Sequence, residues 1–243
     1  MTTLLLAVLA LSPVEGALAL GDDAEALEKF KTDVKGKDAA GRAAAIDELA
    51  RTKSPKICAK LASMLTNEVV EVRCAAAKGL GTQDDKKRVI PLLAAAVTPN
   101  AKEPLVLAAI VSALGKLGDE AGAAEINKHI SHENLDVAKA AVEAAGEIRS
   151  ASSFDPLIKA MKECEETLKP RDKNNGGGFG GGRFGGPGGN MQNFREMRER
   201  AQMLKPEIQK VLVAMAKVNC QDAQDWELWW KENRAKYKPE KPS

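Results

Sequence analysis

The sequence predicts an all-α superhelix, a solenoid of paired helices, and three observations carry that prediction. Related stretches recur at nearly constant spacing: GRAAAIDELA from Gly41, VRCAAAKGLG from Val72, VLAAIVSALG from Val106 and VAKAAVEAAG from Val137, in steps of 31, 34 and 31 residues. Self-similarity at a period of roughly 30 residues, without strand signals, marks a helical repeat array. Within these stretches apolar residues return every three or four positions, as in Val106, Ala109, Ile110, Ala113, Leu114 and Leu117, which is one face of a helix. The prolines Pro91 and Pro156 lie 65 residues apart, the 34- and 31-residue steps taken together, so a second marker keeps the same period.

Composition sets the style of packing. The chain has 243 residues, 44% hydrophobic and 29% charged, with a net charge of +2, ordinary values that demand no polyanionic partner. Trp226, Trp229, Trp230 and Tyr237 all fall near the C-terminus, so the body must pack Ala, Leu, Ile and Val. Small residues suit helices that approach closely.

Residues 1–19 stand apart. Leu4–Leu11 is an apolar run, Ser12-Pro13 breaks it, and Ala17-Leu18-Ala19 puts small residues where a signal peptidase reads. A secretory signal ending at Ala19 is expected, which gives a periplasmic or secreted protein of net charge +3; retention of residues 1–19 as a first helix would leave it cytoplasmic. The run is too short for a membrane span of about 20 residues. Cys58, Cys74, Cys164 and Cys220 lack the spacing of a disulfide framework and are expected as free thiols; if oxidised, Cys58 would pair with Cys74 and Cys164 with Cys220.

The body of the array is expected over 20–168. Asp22–Val34 reads as an amphipathic capping helix with acid in its first turn, and Gly36–Asp38 as the turn into the first repeat. Each repeat then holds a helix A and a helix B: Ala39–Arg51 with Pro55–Leu65, Val69–Leu80 with Asp85–Val97, Glu103–Leu117 with Glu120–Ile130, and Leu135–Ile148 with Phe154–Leu168. Gly81, Gly115 and Gly146 fall at or near the ends of A helices, where a missing Cβ allows either a left-handed cap or close helix contact. Asp155 is expected to cap the last B helix with Pro156 in its first position. Pro91 predicts a late start or a bend in the second B helix.

After Leu168 the pattern changes. Lys169–Asn190 is a glycine-rich tract expected to be a disordered loop. Met191–Leu204 and Pro206–Val218 read as two further amphipathic helices, the second as the B partner of a degenerate final repeat. The final repeat and cap span 191–237 and a polar tail 238–243. In Asp222–Tyr237 the indoles of Trp226, Trp229 and Trp230 share one helix face. They are expected to form a structural cap over the last repeat, with Trp229→Ala costing about 3–5 kcal/mol; stacking of a sugar or peptide is the other use of such a face.

Val72-Arg73, the alanines 75–77, Leu80-Gly81, Asp84-Asp85 and Val89–Leu93 resemble the HEAT-repeat superfamily in its bacterial short-repeat form, the kind also seen in the HEAT-like repeats of phycobilin (PBS) lyases. The resemblance covers about Ala39–Leu168 and weakens in the first and third repeats, where Arg73 corresponds to Arg42 and to Leu107. It implies an armadillo-like interaction scaffold, not an enzyme, whose concave surface is lined by B helices. Lys60, Lys128 and Lys159 are then the candidate partner-binding residues, and protein partners are expected.

Other chemistry finds less support in the residues. A GxGxxG match at Gly176–Gly181 has neither the strand nor the helix of a dinucleotide site, and no GxxxxGK[ST] occurs. His129 and His132, the two histidines of the chain, sit near Glu133 without a third ligand in view, so no metal site and no cofactor are expected. No Ser or Cys has a paired base. A lyase-like or chaperone role holding a small ligand or chromophore remains an alternative. So does nucleic-acid binding through Phe179, Arg183 and Phe184 in the glycine tract, which the near-neutral charge opposes.

Overall fold

The computed structural model describes residues 15–67, 69–170 and 191–239. Residues 1–14 of the expected signal and residues 171–190 of the expected loop lie outside the described residues.

Eleven α-helices and three short 3-10 turns make up the described residues, with no strand among them. The helices are α1 (Glu15–Asp33), α2 (Ala39–Leu49), α3 (Pro55–Ser63), α4 (Val70–Leu80), α5 (Lys86–Val97), α6 (Pro104–Leu117), α7 (Ala123–Asn127), α8 (Leu135–Ile148), α9 (Phe154–Leu168), α10 (Met191–Ala216) and α11 (Ala223–Asn233). Their starts are set by caps. Asp38, Ser54, Asp85 and Asn134 each accept a hydrogen bond from a backbone N–H of the first turn, at 2.8–3.2 Å, worth about 1 kcal/mol apiece. Pro55 and Pro104 open their helices where no N–H is needed.

The helices form two layers. In one, α2 packs on α4, α4 on α6, α6 on α8 and α8 on α10. In the other, α3 packs on α5, α5 on the turn Glu120–Gly122 that leads into α7, α7 on the turn Ala151–Ser153 that leads into α9, and α9 on α11. Between the layers lies a continuous core of Ile46, Ile57, Leu61, Leu80, Leu93, Ile110, Leu114, Ile126, Phe154 and Trp226, the layout expected of an all-α solenoid.

Glycine fixes how closely the first layer stacks. A Cβ on Gly81 would stand 2.9 Å from Cα of Ala113, one on Gly115 would stand 2.7 Å from Cα of Ala144, and one on Gly146 would stand 3.1 Å from a methyl of Val211. Each glycine thus meets the next helix of its layer near the same end, so α4, α6, α8 and α10 run parallel. Of the two uses that the sequence allows these glycines, close contact is the one realised. Left-handed helix ends fall elsewhere, at Gly118, Arg149 and Lys217, with φ of 56–60°.

Buried amides tie the layers together. Asn100 donates to the carbonyls of Leu65 and Ala96 and accepts from Arg73. Gln83 donates to the carbonyl of Ala50. Ser150 donates to Glu120, fixing the turn before α9 to the turn before α7.

Several expectations need correction. The stretch Glu120–Ile130 is not one helix but a 3-10 turn and a five-residue α7, because Gly122 is a poor helix former and lies in the first turn. Ser153, not Asp155, precedes the first residue of α9, and Pro156 is its third residue, still within the turn that needs no N–H donors. Pro91 sits inside α5, which starts at Lys86 under the Asp85 cap. Pro206 likewise sits inside α10, so residues 191–204 and 206–216 form one helix of 26 residues. Consequently Pro206–Val218 is not a B-type partner; that position against α9 belongs to α11. The first helix begins at Glu15, ahead of the expected Asp22.

The α11 helix also runs the opposite way from α9. Ala223 N–H donates to Glu165 Oε2 at 3.3 Å, Lys162 pairs with Glu227 at 3.0 Å, Arg234 pairs with Asp155 at 2.9 Å, and the Tyr237 hydroxyl donates to the Arg149 carbonyl at 3.1 Å. The preceding second-layer helices each return from a parallel first-layer helix and so share one direction. The last helix breaks that rule.

Candidate functional site

Phe154, the first residue of α9, is the centre of the C-terminal packing. Its ring stacks on Trp230 at 4.2 Å between centroids and an interplanar angle of 14°, and meets Tyr237 edge-on at 4.9 Å. Trp226 is fully buried and its Nε1–H donates to Gln209 Oε1 at 2.9 Å. Trp229 lies 5.7 Å from Phe154 but stays partly exposed. The three indoles therefore do share a packed face, and the larger cost of truncation moves from Trp229 to Trp226 and Trp230, which are buried.

Beside this cluster, α9 and α11 leave an open groove of about 390 Å³ lined by Asp155, Ile158, Lys159, Lys162, Glu227, Trp230, Lys231 and Arg234. The spacing explains its layout. Asp155, Lys159 and Lys162 stand at i, i+4 and i+7 on α9, and Glu227, Lys231 and Arg234 stand at the same intervals on α11, so each set forms a stripe on one helix face. Because the helices are antiparallel, the acid of each stripe pairs with the terminal base of the other, as Asp155 with Arg234 and Glu227 with Lys162. The middle members are both lysines. Lys159 and Lys231 line the groove without an ion pair or hydrogen bond among the described residues. The hydrogen bond from Lys162 to Glu227 holds that ammonium's pKa above its ordinary value. Buried Trp230 Nε1 has no acceptor, and the Arg234 guanidinium lies 5.7 Å from the centroid of the Trp230 ring.

The three candidate lysines are not brought together. Lys60 on α3 is half-buried with its ammonium 5.6 Å from the centre of the Phe30 ring. Lys128, just past α7, pairs with Glu125 at 2.5 Å. Lys159 alone of the three lies in the groove. Lys162, Lys231 and Arg234 are not among the residues expected to bind a partner, yet their spacing is readable once α9 and α11 are known to face each other.

Other chemistry-bearing side chains are dispersed. His129 and His132 have ring centroids 5.9 Å apart, and the carboxylate near His129 is Glu125 at 3.6 Å rather than Glu133. Burial lowers the His129 pKa against the pull of Glu125. Among the described residues no three metal-ligating groups converge. All four cysteines are free thiols, and burial pushes each pKa up, away from the reactive thiolate. Among the described residues no helix is long and apolar enough to cross a membrane.

Comparison with known proteins agrees with this geometry. Residues 27–103 and 99–169 match the family model for HEAT repeats. No curated protein matches the chain. HEAT repeats commonly act as scaffolds for protein–protein interaction and are typically non-catalytic. The matched residues run from within α1 to the end of α9, the part of the stack with regular parallel layers and more than half of the sequence, and by that match the chain belongs to the HEAT-repeat family.

Proposed function

We propose that this chain is a non-catalytic scaffold that binds other proteins, and that it works outside the cytoplasm after loss of residues 1–19. The observation that carries the binding role is the groove between α9 and α11, where a two-layer helical stack ends in unpaired cationic side chains beside an aromatic floor. Rigid stacked helices suit such a surface because the groove needs no rearrangement to receive a partner. The export reading rests on the apolar run and small residues of the first 19 positions. Removal at Ala19 would shorten α1 by its first five residues but keep Leu27, Phe30 and Val34, which pack on the core.

Affinity capture of the tagged protein from its native cells, with mass spectrometry of co-purifying molecules and of its own N-terminus, tests both parts. A reproducible protein partner and a chain starting at Leu20 are expected. Retention of RNA or a small molecule with no protein partner would overturn the scaffold role, and an intact Met1 would overturn export.

A further inference from the structure

We infer that the groove between α9 and α11 receives an acidic polypeptide segment, with carboxylates placed between Lys159 and Lys231 and an apolar side chain laid over Ile158 and Trp230. This deepens the scaffold reading and rests on it.

Charge placement selects the occupant. Two antiparallel stripes of the same order, acid, lysine, base, satisfy each other at both ends and leave like charges at the middle. Two ammonium groups lining one groove repel, and an anion between them relieves that repulsion while gaining a charge-assisted hydrogen bond from each. Lys159 and Lys231 are exposed, so an incoming group reaches them without unfolding either helix.

The flanking acids narrow the choice further. Asp155 and Glu227 stand at the two ends of the cationic centre and oppose a long polyanion laid along the groove, which would bring phosphates against carboxylates. A polypeptide places carboxylates singly and with apolar neighbours, which matches lysines in the middle and Ile158 with Trp230 beneath. The flanking ion pairs are exposed, with side chains 48–64% accessible, and such pairs contribute little. Ligand carboxylates can therefore also engage Lys162 or Arg234 without breaking a strong contact.

The test uses the full chain and a short fluorescein-labelled peptide of alternating Glu and Leu, followed by fluorescence anisotropy at low salt. Its counterpart with Gln for every Glu, and a single-stranded oligothymidylate, serve as competitors of other chemistry. Saturable binding of the Glu peptide is expected, at least about tenfold tighter than the Gln peptide and weakening as salt rises. The double variant Lys159→Glu/Lys231→Glu should lose at least about tenfold in affinity, with Lys231→Gln alone between the two. Unchanged circular dichroism and thermal midpoint verify that both variants fold. Equal affinity for the Gln peptide, or no saturable binding of either peptide, overturns the groove assignment. Glu-peptide binding that survives the double reversal also overturns it but leaves the scaffold reading standing. Binding of oligothymidylate alone removes both.

Discussion

The middle of the stack and its C-terminal end solve the same packing problem by opposite means. From α4 to α8 the first-layer helices meet through glycine and alanine, with Gly81 against Ala113 and Gly115 against Ala144, so that geometry repeats because nothing bulky interrupts it. At the end, no further repeat packs beyond α10 among the described residues. There the chain places the rings of Phe154, Trp226, Trp230 and Tyr237, reverses α11, and fastens it to α9 with ion pairs at both ends. A repeat is propagated by close fit and terminated by bulk, and the reversal that terminates it also sets two lysine-centred stripes face to face.

Truncation at the end should have the largest effect. Trp226→Ala removes a fully buried indole and takes the donor from Gln209 Oε1, and should lower unfolding free energy by about 3–5 kcal/mol in urea titration. A loss near zero would mean that the aromatic end is not part of the cooperative structure.

In the middle, the sensitive direction is addition. Gly115→Ala puts a methyl 2.6–2.7 Å from Cβ and Cα of Ala144, forces α6 and α8 apart, and should cost about 1–3 kcal/mol. Gly146→Ala meets the movable methyls of Val211 at 3.1–3.2 Å and should cost less. Equal losses at the two sites would break the view that backbone approach sets the spacing.

Smaller effects separate the fastenings of α11. Tyr237→Phe keeps the ring and removes the hydrogen bond to the Arg149 carbonyl, for an expected loss of about 1 kcal/mol by thermal or urea unfolding. Arg234→Ala breaks an exposed ion pair and should change stability by less than about 1 kcal/mol, with the change shrinking further as salt is added. A larger effect for Arg234 than for Tyr237 would rank the exposed ion pair above the hydroxyl hydrogen bond in holding α11.

What the sequence made legible follows the same division. Helices α2 to α6, α8 and α9 were readable because a fixed period, caps such as Asp38 and Ser54, and helix-opening prolines all agree, whereas Glu120–Ile130 holds only the five-residue α7; α8 and α9 fall on the expected residues without change. The glycines were legible as markers but not in role, since a missing Cβ serves a left-handed end and a close contact equally well. Pro206 misled because one proline is the usual sign of a helix boundary, yet the faces that α10 packs on α8 and α9 hold it continuous. Within the groove, both i, i+4, i+7 stripes were present in the sequence. Their meeting was not, because no local signal states that α11 runs against α9 in the reverse direction.

The proposed docking of a polypeptide where the reversed helix meets the last regular repeat has a signature in backbone protection. Hydrogen–deuterium exchange of the full chain, alone and in complex with the protein partner recovered by capture, tests it most directly. Slower amide exchange on binding is expected in α9 and α11, with α2 and α4 unchanged. Protection confined to α2 and α4, or exchange unchanged in α9 and α11 of a saturated complex, would contradict it.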